Sequence, residues 1–288
     1  MTDRDMSRFD AVLPAFDDAR VAWSVRVVDV TTPSTETLLD IHSARVLSTA
    51  SVGKVLLLIE AARAIAAGKL AAGEPLTRTV EDAVADSGIW QHLNLDTLPA
   101  ADVARLIGLA SDNLATNVLL SRIGGVDAVA RTARALGIEG ISLRDRVRDM
   151  RTPHDPPRLS EASAAGLAAL FARLVKDDDL PAGMSRQVLD WLAGGLDLSM
   201  VAAAFGLDPL AHAAPERGLT VINKTGTDAG VRADVGVVTG PAGQLIYASI
   251  ANWDASAEGP GDLRDAVLDT MGLLGAALRD SVTRTAVD

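Results

Sequence analysis

Three short motifs in the sequence contain residue types that can perform nucleophilic catalysis. In the first motif, Ser51 and Lys54 stand three residues apart, at the start of an apolar run that predicts a buried helix over 51–70. Residues i and i+3 of a helix share a face, so the lysine amine can reach the serine hydroxyl. A serine becomes a good nucleophile when a base accepts its proton, and lysine is such a base where burial and nearby positive charge lower its pKa. Taken alone, such a pair is more often a serine that caps a helix and a surface lysine.

The other two motifs supply the remaining groups that acyl transfer needs. Ser111 and Asn113 belong to a Ser-Asp-Asn sequence between two predicted helices, and they offer a hydroxyl that can relay a proton and an amide that can hold a carbonyl or an amine. Lys224 and Thr225, followed by Gly226 at the end of a predicted strand, offer a cation and a hydroxyl to a substrate carboxylate. Each motif has an ordinary structural explanation, as a helix cap or a strand end. The three together, in this order, predict an active site.

The elements that position these motifs follow from the hydrophobic pattern. Alternating, β-branched segments predict strands at both ends of the chain, and segments of helical periodicity fill the middle. Strands are predicted over 21–30, 36–42, 219–226, 231–240 and 243–253, terminal helices over 4–20 and 262–280, and middle helices over 100–111, 114–123, 126–137 and 160–176. A proline-rich loop is predicted over 144–158. Strands joined by hairpins form an antiparallel sheet, so an α+β fold is predicted in which terminal helices flank that sheet and the middle forms an all-helical lobe.

The chain is predicted to form a single catalytic domain with two lobes. Residues 1–48 and 216–288 would form the sheet lobe, and residues 49–215 the helical lobe.

Composition restricts the partners of the protein. The 288 residues have a net charge of −11 and contain no basic stripe, which argues against nucleic acid, and no apolar stretch is long enough for a membrane span. A small-molecule substrate remains. The N-terminus lacks the pattern of a secretory signal, so a cytoplasmic protein is expected, or an exported one if a signal has been removed.

No cofactor and no metal are expected. The chain has no cysteine, its four histidines are scattered, and the three aspartates at 177–179 are interpreted as a solvated turn. A phosphate-binding loop around Gly53 and Lys54 is excluded, because Ser48 and Val55 occupy positions where that loop needs glycine and a hydroxyl residue.

The three motifs resemble the signature of class A serine β-lactamases and penicillin-binding proteins. The similarity extends beyond them, over about residues 20 to 280: STASVGKVLLLIEAA resembles the family's nucleophile helix, SDNLATNVLLSRIGGVDAVARTARALG its helix pair, and KTGTDAGVRADVGVV its substrate-side strand. The resemblance implies a fold of the β-lactamase and transpeptidase kind with the site between the two lobes.

The resemblance also implies roles for single residues. Ser51 would be acylated, Lys54 would accept its proton, and Ser111 would relay a proton to the leaving nitrogen. The substrate carboxylate would be bound by Lys224, Thr225 and Arg232, and the oxyanion by the backbone N–H of Ser51 and of Thr227 or Asp228. Trp90 is a further candidate for the mouth of the pocket, although a partly buried loop aromatic is about equally expected.

One departure concerns hydrolysis of the acyl-enzyme. The family carries a loop glutamate that activates the deacylating water, and our alignment places Arg148 at its position. Asp149, His154, Asp155 and Glu161 are nearby groups that would have to substitute, with Asp149 the first candidate. The alternative is that none of them does and that the loop only shapes the pocket.

Three functions are compatible with these residues. The first is a β-lactamase, the second an esterase or peptidase of the same fold, and the third a penicillin-binding or sensor module that is acylated and stays occupied.

Overall fold

A five-stranded antiparallel sheet forms the centre of the computed structural model, which describes residues 9–177, 179–257 and 262–283. The order of the strands in this sheet is β2-β1-β10-β9-β8, so β8 lies at an edge. Its strands are β1 (Val21–Asp29), β2 (Glu36–Ile41), β8 (Thr220–Asp228), β9 (Val231–Gly240) and β10 (Gly243–Trp253). All five match strands predicted from the alternating pattern.

Seven α-helices lie within the described ranges. They are α1 (Lys54–Ala66), α2 (Ala100–Ala110), α3 (Asn113–Ile123), α4 (Gly125–Ala135), α5 (Ala164–Lys176), α6 (Met184–Leu192) and α7 (Asp262–Thr283). Short strands form two smaller sheets, with β3 (Val46–Ser48), β7 (Ser160–Ser163) and β6 (Ile141–Leu143) in one and β4 (Pro75–Thr77) and β5 (Thr97–Pro99) in the other. No helix in these ranges combines the length and apolar character that crossing a bilayer requires.

The sheet separates two apolar cores, because alternate residues of a strand point to opposite faces. On β10, Ile246, Ala248 and Ile250 face the core that contains α1 to α6. Leu245 and Tyr247 face the second core, which contains α7. Both faces of the sheet are therefore covered, and its strands are apolar on both sides.

The predicted N-terminal helix over 4–20 is confirmed only in part. Residues 1–8 lie outside the described residues, Phe9 and Asp10 are helical, and after a turn a short 3-10 helix follows at Leu13–Phe16. Pro14 lacks an N–H donor and so favours the beginning of a helix over its interior. Phe9 and Phe16 are buried, as their apolar character indicates, and Phe16 packs edge-on against Trp23 with ring centroids 4.9 Å apart.

Two features of the middle segment differ from the predicted pattern. The predicted helix over 160–176 begins only at Ala164, because residues 160–163 form β7. The helix that follows, α5, packs against β1, β9 and β10 of the large sheet. The boundaries of the two lobes stay a prediction.

Candidate active site

The candidate nucleophile lies in a tight turn at the start of the most deeply buried helix. Ser51 belongs to a 3-10 helix at Ala50–Gly53 that leads directly into α1. It lines a cleft of 330 Å³ between the edge strand β8 and the junction of α2 and α3. The cleft is lined by Ser51, Ser87, Gly88, Ile89, Gly108, Leu109, Ala110, Ser111, Gly195, Leu196, Asp197, Asn223, Thr225 and Thr227.

Lys54 is the first residue of α1 and is fully buried at 0% exposure. Its Nζ donates to the Ser111 carbonyl oxygen at 2.6 Å and to Asn113 Oδ1 at 2.8 Å. Burial lowers the pKa of this amine well below its ordinary value, and the charge of Lys224 lowers it further, against a smaller opposing effect of Asp112. A neutral amine has two hydrogens and one lone pair. Two acceptors therefore satisfy its hydrogens and leave the lone pair for a proton.

Ser111 connects the two lysines of the site. It ends α2 in the left-handed region, with φ of 54°, and this turn directs both its carbonyl and its hydroxyl toward the amines. Its Oγ accepts from Lys224 Nζ at 2.9 Å and lies 3.4 Å from Lys54 Nζ. A hydroxyl between two amines of lowered pKa is suited to pass a proton from one side of the cleft to the other.

Asp112 and Asn113 fix this junction to the loop before β5. Asp112 caps α3 by accepting from Ala115 N at 2.8 Å, and its other oxygen accepts from Trp90 N at 2.8 Å. Asn113 donates from Nδ2 to the Ala85 carbonyl at 3.1 Å, so its orientation toward Lys54 is fixed. In this motif Asp112 thus caps α3 and binds the loop, and Ser111 and Asn113 accept hydrogen bonds from Lys54.

The third motif lies inside β8 rather than at its end. Lys224 is buried, and burial lowers its pKa to about 8 although Asp197 and Asp234 oppose the shift. Gly226 runs so close to the nucleophile turn that a Cβ there would lie 2.1 Å from the Thr49 carbonyl oxygen. Only glycine permits this approach, which brings Thr225 and Thr227 into the lining of the cleft.

Asp197 is a cleft residue that the sequence analysis missed. Burial raises the pKa of its carboxyl, but hydrogen bonds from Ser199 and Thr225 and the charge of Lys224 outweigh burial and lower it overall. The residue lies in a loop without periodicity or a motif, so no signal in the sequence indicated it. It places a carboxylate beside the predicted anion-binding groups.

Of the six predicted substrate-binding residues, Thr225 and Thr227 line the cleft, and the others do not: Lys224, Gly226, Trp90 and Arg232. Trp90 is buried at 0% exposure, with its ring N–H bonded to the Leu95 carbonyl at 2.7 Å, so the prediction that it borders the pocket mouth is wrong. Arg232 lies opposite Thr227 in the sheet register, donates to the carbonyls of Asp228 and Val231, and has its guanidinium carbon 5.9 Å from the ring centroid of Trp253. Its predicted role in binding a carboxylate stays a prediction.

The loop over 144–158 contributes no residue to the cleft lining. Arg148 donates to Asp145 Oδ2 at 2.7 Å and lies 3.1 Å from Asp155 Oδ1. Asp149 accepts from Ala85 N at 2.7 Å and lines a different cavity. The loop residue that is clamped to α3 is Val147, whose N and O are both bonded to the Asn117 side chain, at 2.9 and 3.1 Å.

Asn117 lies one helical turn after Asn113, so the amide that holds Lys54 and the amide that holds Val147 share one face of α3. The backbone of Val147, and not that of Arg148, is therefore the part of the loop that is fixed to the helix carrying Asn113. The other predicted substitutes lie elsewhere. Asp155 accepts from Thr152 N, Glu161 pairs with Arg144, and His154 is exposed. Within the described ranges, no cluster of His, Asp or Glu residues is arranged to hold a metal ion.

Comparison with known proteins identifies the family of this chain. The chain matches the β-lactamase enzyme family over residues 6–280 and belongs to it. Among solved structures, a β-lactamase from Sphaerobacter thermophilus is 23% identical, with a TM-score of 0.77 and 98% of each chain covered.

Two further structures show the same fold. An ancestral class A β-lactamase is 21% identical, with a TM-score of 0.76 over 95% of this chain and 99% of the other. A variant of PBP-A, in an acyl-enzyme complex with penicillin G, is 19% identical, with a TM-score of 0.75 over 96% of each chain. The predicted antiparallel sheet with flanking helices is confirmed as the class A β-lactamase fold.

Proposed function

We propose that this protein is a serine hydrolase that is acylated at Ser51 by β-lactams and hydrolyses the acyl-enzyme slowly. The observation that carries the proposal is the environment of Lys54. Its amine is buried, its pKa is well below the ordinary value, and it is held by two neutral acceptors. Lowering the pKa favours the neutral amine, which is the form that acts as a base.

In the proposed acylation step, each of these residues has one role. Ser51 Oγ attacks the lactam carbonyl carbon as its proton passes to Lys54 Nζ. The C–N bond of the lactam then breaks, and the nitrogen receives a proton through the Ser111 hydroxyl, which contacts both amines. Lys224, with Thr225, would bind the anionic group of the substrate, and the N–H groups of Ser51 and Thr227 would bind the oxyanion.

Slow deacylation follows from the loop. A water molecule that attacks the acyl ester needs a base within hydrogen-bond reach. Arg148 has no acceptor and stays protonated, and Val147 has no titratable group. The PBP-A variant of the same fold forms an acyl-enzyme with penicillin G, which supports the proposed acylation.

The test is intact-mass spectrometry after a penicillin pulse, followed over time. We expect stoichiometric addition to the parent chain, no addition to Ser51→Ala, and loss of the adduct over minutes or longer. Ser87→Ala is the matched control, because it removes another hydroxyl from the same cleft. Undiminished labelling of Ser51→Ala would show that the nucleophile is a different residue.

The time course also separates the alternatives. Steady hydrolysis of a chromogenic cephalosporin identifies a β-lactamase. One stoichiometric burst of cleavage with no further turnover identifies a penicillin-binding module. Turnover of short esters without β-lactam cleavage would instead identify an esterase.

A further inference from the structure

The peptide unit that joins Ala50 to Ser51 has an unusual conformation. Ala50 has φ of 46°, in the left-handed region that residues with a Cβ rarely occupy. A non-glycine residue keeps such a conformation only where its surroundings hold it. The unit is also chemically important, because its nitrogen is the N–H expected to bind the oxyanion.

Ser160, on β7, is the group that holds this peptide. Its hydroxyl is fully buried and donates to the Ala50 carbonyl oxygen at 2.6 Å. Because its one hydrogen is used there, the Thr49 hydroxyl 2.7 Å away donates to it, and Gly53 N donates to it at 3.3 Å. One hydroxyl thus bonds to three successive parts of the nucleophile turn.

The backbone around Ser160 leaves little room for this arrangement to change. Thr49 N donates to the Ser160 carbonyl at 3.2 Å, so β7 and the turn are joined by main chain as well as side chain. A Cβ on Gly53 would lie 2.3 Å from Ser160 Cβ, so the close approach depends on a glycine in the Ser-x-Gly-Lys sequence. The turn is therefore packed directly against this serine.

The carbonyl and the N–H of one trans peptide point in opposite directions, because the unit is planar. Fixing the Ala50 carbonyl toward Ser160 therefore directs the Ser51 N–H away from β7. On that side lies β8, where a Cβ added to Gly226 would be 3.0 Å from Ser51 N. A hydrogen bond to the carbonyl also polarises the peptide and strengthens its N–H as a donor.

We propose that Ser160 is a positioning residue for catalysis, which orients the Ser51 N–H toward the oxyanion through the Ala50 carbonyl. This inference rests on the proposed acylation of Ser51. Ser160 does not touch the substrate. It acts through the peptide. Its removal therefore reduces the stabilisation of the transition state for acylation more than it reduces the affinity for substrate.

The experiment compares Ser160→Ala with Ser163→Ala. Both serines lie on β7 and are buried, but Ser163 caps α5 by accepting from Gly166 N at 3.1 Å and makes no contact with the turn. For each variant, thermal unfolding, the acylation rate constant at saturating penicillin, the apparent KM and the affinity for a boronic acid are measured. The boronic acid forms a tetrahedral adduct on the serine and so reports the oxyanion site.

We expect Ser160→Ala to lose about tenfold or more in acylation rate and in boronic acid affinity, with KM little changed. This is less than the ~10²–10³ for deletion of an oxyanion donor, because the donor is misdirected and not removed. Ser163→Ala should lower the melting temperature and leave both catalytic quantities at the parent level. If Ser160→Ala does not fold, Ser160→Cys keeps the size and a weak donor, and it should lie between the parent and the expected loss.

Three results would overturn the inference. In the first, folded Ser160→Ala or Ser160→Cys is acylated at the parent rate. In the second, the Ser160 and Ser163 variants lose rate in equal proportion. In the third, KM changes as much as the rate. Failure of the proposed function looks different, since Ser51→Ala would then be labelled like the parent or the parent would not be labelled at all.

Discussion

The amine of Lys54 is fully buried and held by one carbonyl and one amide oxygen. Burial of a lysine favours its neutral form, because a charge is poorly solvated in the interior. Lys224, a second cation in the same site, adds to this effect. In the proposed mechanism, the reactivity of Ser51 thus depends on the surroundings of Lys54 and not on an acidic partner.

Replacement of Lys54 tests this dependence. Lys54→Ala and Lys54→Arg should both slow acylation by at least about 10²-fold, since alanine has no base and a guanidinium stays protonated. The measurement is the second-order rate constant of acylation by penicillin, with Lys69→Ala as control because Lys69 is an exposed lysine beyond α1. Acylation of Lys54→Arg at the parent rate would show that lysine acts only as a structural residue.

The second lysine gives the pH dependence of substrate binding. Burial lowers the pKa of Lys224 to about 8, so its charge is present below pH 8 and is lost as the pH rises above it. We expect the KM of a carboxylate-bearing β-lactam to increase as the pH passes from 7 to 9. A neutral ester substrate, measured in parallel, should show no such increase in KM. Parallel profiles for the two substrates would contradict binding of the anion by Lys224.

At the scale of elements, the proposed slow hydrolysis of the acyl-enzyme depends on the loop over 144–158. Asn117 of α3 clamps the backbone of Val147, whereas Arg148 turns toward Asp145 and Asp155. The residue clamped to α3 is therefore the one before the position that sequence alignment indicates. Irregular loops of this kind align poorly, because their backbone conformation is fixed by hydrogen bonds from side chains, such as Asn117, and not by a periodic sequence pattern.

Two glutamate substitutions distinguish these positions. Val147→Glu should shorten the lifetime of the penicillin adduct by about tenfold or more, since a general base typically contributes about 10²–10⁴-fold. Arg148→Glu should change it little and should reduce stability, because a glutamate would face Asp145 and Asp155. The lifetime is followed by intact mass and folding by thermal unfolding. Faster deacylation in Arg148→Glu than in Val147→Glu would support the sequence alignment over the clamp.

The elements themselves were largely predictable, since their signals are local. Strands β1, β2, β8, β9 and β10 alternate, α2 to α4 have helical periodicity, and Asp112 caps α3. Predictions failed where a contact between distant segments decided the outcome. Residues 160–163 have the composition of a helix start but pair with β3 and β6.

The candidate site was predictable where residue types form a motif and unpredictable where only packing selects the residue. Ser51, Lys54, Ser111, Asn113 and Lys224 come together as their order indicated. Ser160 and Asp197 are ordinary polar residues in the sequence, and only the fold gives them a role. The prediction for Trp90 failed for the same reason. Its backbone N–H bonds to Asp112 and its ring N–H to the Leu95 carbonyl, and these contacts are not visible in the sequence.

At the scale of the whole molecule, a buried carboxyl joins the sheet to the second core. Asp234 of β9 accepts from Asn223 Nδ2 at 3.1 Å, from the Tyr247 hydroxyl at 3.0 Å and from Val201 N at 3.1 Å. Burial raises its pKa to about 7, opposed by the Asn223 hydrogen bond and assisted by the charge of Asp197. Its ordinary value is 3.8.

The sign of this shift predicts a pH dependence of stability. A carboxyl whose folded pKa is raised contributes stability that is present below pH 4 and is lost as the pH rises toward 7. Its contribution to the free energy of unfolding should fall by up to about 1.4 kcal/mol per pH unit between pH 5 and 7. Asp234→Asn cannot titrate, so its melting temperature should fall less steeply, or rise more, over this range than that of the parent. The other titratable groups are the same in both proteins, so equal slopes would contradict the assignment.

The pairing of β1 with β10 has a consequence for folding during synthesis of the protein. Val21 pairs with Trp253, so the centre of the sheet joins residues from the two ends of the chain. During translation, roughly ten seconds or more separate the emergence of these strands from the ribosome. Nascent chains contain Ser51 long before β8 exists to complete the cleft. The proposed acylation therefore requires chains in which β8 has emerged and folded, and a labelling pulse in cells should spare shorter nascent chains.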